Sequence, residues 1–399
     1  MKESGKHIDF QKYWNLISDI DPIRVNGKVS QIAGLIIEGN GPLCATGNLC
    51  KILSPKRELS TMAEVVGFRN DNILLMPLGE IRGIGPGSII ESKKQKATVN
   101  AGSHLLGRIL DGLGNPIDGK GPTVGGKEYQ IYATPINPLH RKEIVEPLDV
   151  GVRAINGLLT CGKGQRIGIL AGSGVGKSML LGMIARNTKA QVNVIALIGE
   201  RGREVKEFID RDLGKEGLEK SVVVVATSDQ SPLIRMRGAF VATAIAEFFR
   251  DQGRDVILMM DSVTRFAMAQ REVGLSVGEP PTTKGYTPSV FAMLPKLLER
   301  AGTMLHKGSI TGLYTVLVEG DDMNEPIADS VRAILDGHIV LSRELASHGH
   351  YPPIDILNSL SRLMINIVDT GHLEYYRKVV DILATHKQSE DLINIGAYV

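Results

Sequence analysis

Residues 166–178 constrain the fold more than any other stretch, because an apolar run leads directly into a glycine loop. They read RIGILAGSGVGKS. Gly172, Gly174 and Gly176 carry no Cβ, so the backbone can curl there and direct successive N–H groups at an anion. A helix beginning at Lys177 would direct its N-terminus at the same point. The stretch therefore predicts a strand, a phosphate-binding loop and a helix.

This loop supplies candidate ligands for a nucleotide and for Mg²⁺. We expect Lys177 to reach the β- and γ-phosphates and the Ser178 hydroxyl to bind the metal ion. The predicted nucleotide-binding residues are Gly172, Ser173, Gly174, Val175, Gly176, Lys177, Ser178 and Met179. Ala171 replaces the usual first glycine, and its methyl group is tolerable while φ stays negative. The alternative is a glycine-rich turn with a chance Lys-Ser pair, but strand, loop and helix occur in the predicted order.

Composition and charge exclude several classes of protein. Lys and Arg number 46 against 44 Asp and Glu, and aromatic residues make up 5%, which argues against nucleic acid as a partner. The three cysteines lack Cys-x-x-Cys spacing, so we expect reduced thiols in a cytoplasmic protein. No apolar run approaches the roughly 20 residues that cross a bilayer, so any membrane contact should be peripheral.

Two architectures follow one another along the chain. Short β runs at residues 29–37, 49–53, 62–68 and 73–77, separated by Gly, Asn and Pro, predict a small closed β-barrel. Residues 106–118 predict a run of turns. Apolar strands then alternate with helices, which predicts an α/β core with a parallel sheet buried on both faces. The predicted strands of this core are Val192–Ile198, Ser221–Ala226 and residues 256–260, 313–318 and 338–341.

The N-terminal residues predict a short amphipathic helix, since Phe10, Tyr13, Trp14, Ile17 and Ile20 recur at helical spacing. This helix fits two roles equally well. It packs on its own domain, or it docks on a partner protein.

Two carboxylates follow apolar strands, where ligands bind in an open parallel sheet. Asp261 is placed to hold Mg²⁺ through its hydration shell, and the alternative is a helix N-cap. Glu200 is the candidate for orienting the attacking water, and the alternative is a solvated carboxylate beside Arg201.

Guanidinium groups stabilise the charge that develops in phosphoryl transfer. Arg201 and Arg265 closely follow the two carboxylates, although each fits an ordinary ion pair as well. Arg362 lies far along the chain, after the predicted sheet has ended, where it could reach a neighbouring subunit. Tyr351 could stack on adenine or pack on a proline turn.

These motifs resemble the ATPases of flagellar and type III secretion protein export and, more distantly, the catalytic subunits of rotary ATP synthases. The resemblance extends from about residue 24 to residue 398. It is carried in register by residues 106–119, 151–178, 199–205, 261–285, 318–343 and 351–362. Residues 261–270 look closer to flagellar members than to virulence members.

The resemblance implies a RecA-like P-loop core with an N-terminal β-barrel and a helical C-terminal domain. The implied domains are residues 1–22 (regulator docking), 23–97 (barrel), 98–368 (ATPase) and 369–399 (the start of a helical domain that looks shortened). It makes Glu200 the catalytic carboxylate and Arg201 and Arg265 the γ-phosphate sensors. Tyr351 matches the adenine-stacking position, and Arg362 matches an arginine finger supplied in trans.

The implied function is ATP hydrolysis with Mg²⁺, which energises export by a homohexamer at the cytoplasmic face of a membrane-embedded gate. Implied partners are a peripheral-stalk-like regulator, a central stalk protein, export chaperones and substrates, and the gate proteins, with no nucleic acid. Two alternatives remain: a hexameric RNA translocase, and a non-catalytic nucleotide-binding ring subunit. The near-neutral charge argues against the first, and Glu200 argues against the second.

Overall fold

The computed structural model describes residues 10, 14, 25–93, 97–318, 320 and 322–397. The chain divides into two compact units, residues 1–96 and 97–399. Phe10 and Trp14 are helical and exposed. Tyr13, Ile17 and Ile20 lie outside the described residues, so the N-terminal docking helix stays a prediction.

The first unit is a closed barrel of six strands in the order β1-β2-β5-β4-β3-β6, which confirms the predicted barrel. The strands are β1 Asn26–Ala33, β2 Ile36–Asn40, β3 Leu49–Leu53, β4 Ser60–Arg69, β5 Asn72–Pro77 and β6 Ile89–Ser92. The prediction of one run over residues 29–37 is wrong. Gly34 adopts a φ of 59°, so the chain turns there and forms two paired strands.

The second unit contains a nine-stranded sheet in the order β19-β18-β12-β17-β15-β13-β14-β8, with β16 paired beside β17. Its strands, with those of two small two-stranded sheets, are β7 Thr98–Ala101, β8 Arg108–Asp111, β9 Lys127–Gln130, β10 Pro147–Leu148, β11 Cys161–Gly162, β12 Arg166–Ala171, β13 Val192–Ile198, β14 Ser221–Ala226, β15 Asp255–Asp261, β16 Gly302–Thr303, β17 Ser309–Leu317, β18 Gly337–Leu341 and β19 Ile354–Ser361.

The helices of this unit are α1 Arg153–Leu158, α2 Lys177–Asn187, α3 Gly202–Glu207, α4 Gly214–Glu219, α5 Pro232–Asp251, α6 Val263–Val277, α7 Pro288–Leu298, α8 Pro326–Ile334, α9 Arg343–Ser347, α10 Met364–Ile367 and α11 Thr370–Asn394. A π-helical segment, Phe208–Leu213, joins α3 to α4. Within the described ranges, we find no helix with the length and apolarity to cross a bilayer.

The centre of the sheet follows the sequence closely, because β13 and β14 are apolar except at Asn193 and Ser221 and every residue is buried. Most neighbouring strands are parallel, as the sequence predicts, and two details differ at the edges of the sheet. The predicted turn region at residues 106–118 contains β8, which pairs with β14. The sheet is not wholly parallel, because β19 runs antiparallel to β18. Arg362 therefore follows an edge strand directly instead of lying beyond the sheet.

Candidate active site

The predicted phosphate loop connects the buried end of β12 to the first turn of α2. Gly174 and Gly176 adopt φ values of 77° and 104°, a left-handed conformation that side chains with a Cβ rarely adopt. Val175, between them, is 2% exposed, so it anchors the loop in the core. The Leu180 N–H donates to Gly176 O at 3.1 Å, which brings the loop directly into the helix.

Lys177 lies between two carboxylates at the carboxyl edge of the sheet. Its Nζ is 2.5 Å from Asp261 Oδ1 and 3.7 Å from Glu200 Oε1. Asp261 ends β15 and Glu200 follows β13, and these strands are direct neighbours in the sheet. The three side chains are between 4% and 15% exposed. Sheet topology thus brings together a cation and two acids that are far apart in sequence.

The positive charge on Lys177 is maintained by its surroundings. Burial disfavours the charged form, but attraction from Asp261 and Glu200 outweighs that effect and raises the pKa of Lys177. The ammonium is therefore available to a phosphate at any physiological pH.

Glu200 has the properties of an acid–base group. Burial, then repulsion from Asp261 and a hydrogen bond with Glu204, together raise the pKa of Glu200 to about 7, although Lys177 opposes the shift. Its Oε1 is buried and has no hydrogen-bond partner in the part of the chain that the structure describes. A carboxylate whose pKa lies near neutral pH, and whose inner oxygen accepts no hydrogen bond and has the Lys177 ammonium 3.7 Å away, is suited to polarising a water molecule.

Asp261 and Ser178 are the candidate metal ligands. The Thr315 hydroxyl donates to Asp261 Oδ1 at 2.8 Å, which fixes the carboxylate against β17. Among the described residues no group of three His, Cys, Asp or Glu could hold a metal ion. One carboxylate and one hydroxyl beside a phosphate loop are hard oxygen donors, and this set fits Mg²⁺, which binds few protein ligands and keeps several waters.

The structure separates the two predicted γ-phosphate sensors. Arg265 lies on the first turn of α6 against Gly199, where a Cβ would lie 2.7 Å from the Arg265 Cβ. Its Nε is buried and without a hydrogen-bond partner among the described residues, beside the segment that carries Glu200. Arg201 points to solvent, with its side chain 77% exposed and paired with Glu204 at 3.4 Å.

Tyr351 and Arg362 lie at opposite ends of β19. Tyr351 precedes the strand, half-exposed, and its Cε1 is 3.8 Å from the position that a Cβ would take on Gly176. Ser361 pairs with Gly337, the first residue of β18, and Arg362 follows it. Strand β19 pairs with the five residues of β18, with a register shift between His338 and Val340, so its ends lie roughly 13 Å apart at about 3.3 Å per residue of β18. Arg362 therefore lies at the ends of the strands opposite to those that carry the phosphate loop of its own chain.

Three site residues were not identified from the sequence. Thr315 and Glu204 contact Asp261 and Glu200, and Arg343 Nη2 lies 3.4 Å from Ser173 O in the loop. Arg343 follows β18 closely, so the strand-end rule that selected Glu200 could also have selected it. Thr315 lies inside an apolar strand and carries no comparable signal.

Three family models match the chain in succession. They are described as the ATP synthase alpha/beta family beta-barrel domain, at residues 29–94, the nucleotide-binding domain of the same family, at residues 151–361, and the T3SS EscN ATPase C-terminal domain, at residues 368–399. The second model contains the phosphate loop, both carboxylates and Tyr351. It ends at residue 361, directly before Arg362.

Curated proteins and solved structures are similar over nearly the whole chain. The Flagellum-specific ATP synthase of Bacillus subtilis is 57% identical, covering 97% of this chain and 89% of that protein. The Type 3 secretion system ATPase of Xanthomonas euvesicatoria is 50% identical, covering 93% and 84%. The assembled ATPase EscN of enteropathogenic E. coli superposes with a TM-score of 0.88 at 50% identity, covering 94% and 89%. EscN in complex with its central stalk EscO gives a TM-score of 0.85 at 49% identity, again covering 94% and 89%.

Proposed function

This chain belongs to the ATP synthase alpha/beta family, among its flagellar and type III secretion ATPases, and from that membership we propose that it hydrolyses ATP to drive protein export. The chain is an ATPase with a nucleotide-binding domain. The observation that supports this most directly is the Lys177–Asp261–Glu200 cluster beside the phosphate loop. Phosphoryl transfer to water requires a fixed cation, a carboxylate that helps to hold the metal ion, and a carboxylate that orients the water. Lys177, Asp261 and Glu200, whose pKa is about 7, fit these three roles.

Each side chain has a separate role in this proposal. Lys177 binds the β- and γ-phosphates, and Glu200 in its ionised form orients and polarises the attacking water. Ser178 and Asp261 hold Mg²⁺, which when bound neutralises phosphate charge. Arg265, beside the Glu200 segment, senses the γ-phosphate. The loop residues Gly172, Ser173, Gly174, Val175, Gly176 and Met179 cradle the phosphates, while Tyr351 stacks on adenine.

The proposed roles of Arg201 and Arg362 depend on the assembly of several subunits. Arg362 is exposed and far from its own loop, so we assign it to the γ-phosphate of the adjacent subunit in a homohexamer. EscN has been solved as an assembled ATPase, which supports a ring. Arg201 is mostly exposed in the single chain, and its role as a second sensor also depends on a neighbouring subunit or on bound nucleotide to reorient it.

The proposed partners follow the relatives. EscN forms a complex with a central stalk protein, so we propose a central stalk for this ring. We further propose a peripheral-stalk-like regulator at residues 1–22, export chaperones with their substrates, and the gate proteins at the cytoplasmic face of the cell membrane. A hexameric RNA translocase is not favoured, since the named relatives are export ATPases. ATP turnover by the purified chain that is independent of added RNA tests this choice.

Mixing two inactive variants tests the shared site. Rings of Glu200→Gln chains lack the carboxylate, and rings of Arg362→Ala chains lack the finger, so each alone should be inactive. In mixed rings, some interfaces pair an intact Glu200 with an intact Arg362 from the neighbour, and phosphate release should recover. No recovery at any mixing ratio, with assembly verified by light scattering, would contradict action in trans.

A further inference from the structure

The end of β12 opposite the phosphate loop is fixed by a set of hydrogen bonds that we call the Arg362 clamp. It consists of Gln165, Arg166, Asp336 and Ser361. Arg166 Nε and Nη2 donate to the two carboxylate oxygens of Asp336 at 3.0 Å each. The Arg166 N–H donates to Asp336 Oδ2 at 3.0 Å, and the Asp336 N–H donates to Arg166 O at 2.9 Å. A bidentate charged pair with backbone bonds fixes orientation as well as distance.

The clamp holds the chain directly at Arg362. The Arg362 N–H donates to the Asp336 carbonyl at 3.0 Å. Gln165 Nε2 donates to that same carbonyl at 3.3 Å and to Ser361 Oγ at 3.1 Å. Ser361 Oγ in turn donates to Thr160 O at 2.8 Å.

These bonds are protected from water. Gln165 is 0% exposed and Ser361 is 9% exposed, so solvent does not compete for their donors and acceptors. The Arg362 side chain is exposed. Buried hydrogen bonds therefore fix the backbone from which the Arg362 side chain extends. A group that must contact a neighbouring subunit in one geometry requires such a fixed backbone.

We infer that Gln165, Asp336 and Ser361 are positioning residues that hold Arg362 in the geometry needed at the neighbouring subunit's active site. This inference rests on the proposed function, in which Arg362 acts in trans. The clamp also lies at the start of β12, whose other end leads into the phosphate loop. One strand thus connects the loop of a subunit's own site with the arginine that serves the next site.

Mixed rings separate positioning from stability. The donor chain carries Glu200→Gln and supplies only Arg362, while the acceptor chain carries Arg362→Ala and supplies only its own pocket. Ser361→Ala is then added to one chain or the other. On the donor it should lower kcat by about tenfold or more, since a misplacement of about 1 Å can cost a hundredfold, while KM for ATP stays unchanged. On the acceptor it should change neither constant much, because that chain's finger is already absent.

Ser359→Ala is the matched control on the same strand. Its hydroxyl accepts the Val340 N–H at 2.9 Å and takes no part in the clamp, although Ser359 is only two residues before Ser361, so its removal from the donor should leave kcat unchanged. Asp336→Asn on the donor should act like Ser361→Ala. If Asp336→Asn prevents assembly of the ring, Ser361→Ala alone tests the positioning role, because it removes a single hydroxyl and leaves the Arg166–Asp336 pair in place.

The outcomes distinguish the inference from its premise. Equal losses from Ser361→Ala on the donor and on the acceptor would show a general structural role and overturn the positioning role. An unchanged kcat with the donor variant would overturn it as well. If the donor–acceptor mixture without clamp changes is already inactive, the trans assignment fails, and the inference fails with it.

Discussion

Lys177 Nζ lies 2.5 Å from Asp261 Oδ1, so the cation of the predicted phosphate loop is held by the carboxylate that ends β15, two strands along the sheet from β12. The contact joins the start of α2 to the carboxyl edge of the sheet. Glu200, 3.7 Å from the same nitrogen, completes a cluster of three charged groups that interact with one another. Substitution of any one of them should therefore alter the electrostatic environment of the other two.

Substituting Lys177 by Ala should abolish ATP turnover. The developing negative charge on the γ-phosphate would lose its fixed cation, and loss of one preorganised group of this kind costs about a hundredfold or more in kcat. Phosphate release and binding of a fluorescent ATP analogue measure the two consequences. The exposed Lys215, replaced by Ala, is the matched control and should leave both unchanged. Normal turnover by the Lys177→Ala variant would refute the assignment of the loop.

The value of kcat/KM should rise with pH and level off above about 7, the pKa to which burial and Asp261 raise Glu200. The sign follows from the role of Glu200. Below that pKa the carboxyl group is protonated and cannot polarise water, and above it the ionised form predominates. A profile of kcat/KM reports groups of the free enzyme, where this pKa applies.

The Glu204→Gln variant tests the origin of that pH dependence. Glu204 helps to raise the pKa of Glu200, so its neutral replacement should move the acidic limb of the profile to lower pH. Glu207→Gln is the control, because Glu207 is paired with Arg203 on the exposed face of α3. An acidic limb that stays in place with Glu204→Gln would mean that another group titrates.

Replacing Tyr351 by Ala should raise KM for ATP with a smaller effect on kcat. The ring lies beside Gly176 and is 56% exposed, so one face is open to a base. Stacking of a base on an aromatic ring contributes about 1–3 kcal/mol, which corresponds to a rise in KM of roughly 5- to 150-fold. Tyr351→Phe keeps the ring and should retain the normal KM. Equal effects of Ala and Phe would point to the hydroxyl group instead of stacking.

The sequence predicted those parts of the fold in which one physical signal dominates. Strands β13 and β14 are buried throughout and apolar except at Asn193 and Ser221, so the sequence pattern predicts both strands with their observed bounds. Strand β19 lies at an edge of the sheet, exposes Leu357, Asn358 and Leu360 and buries only its two end residues, so it has no such pattern and is not predicted. The predicted strand runs through Gly34 because a single glycine does not distinguish a turn from a strand interior.

The site shows the same division. Asp261 and Glu200 were found because strand ends converge at one edge of a parallel sheet. Thr315 was missed because its bond to Asp261 joins residues 54 positions apart, and only the order of the strands brings them together. The clamp around Arg362 was equally hidden, since Gln165 and Ser361 are 196 positions apart.

A final prediction concerns the packing of the helix that carries Lys177. Gly182 on α2 faces the π-helical segment Phe208–Leu213, and a Cβ there would lie 2.5 Å from Asp212 O and 2.7 Å from Asp212 Cβ. Gly182→Ala should therefore lower the free energy of unfolding by about 1–3 kcal/mol, as overpacking does. Backbone atoms cannot move aside as a flexible side chain can.

Gly157→Ala is the matched control, because a Cβ at that helical position meets nothing within 4 Å. It should raise stability by about 0.4–1 kcal/mol, since alanine reduces the conformational freedom of the unfolded chain. Urea unfolding followed by circular dichroism should give shifts of opposite sign for the two variants. If both variants were stabilised, α2 would have room to move away from Asp212, and the close packing of the two segments would not be what fixes the helix of the phosphate loop.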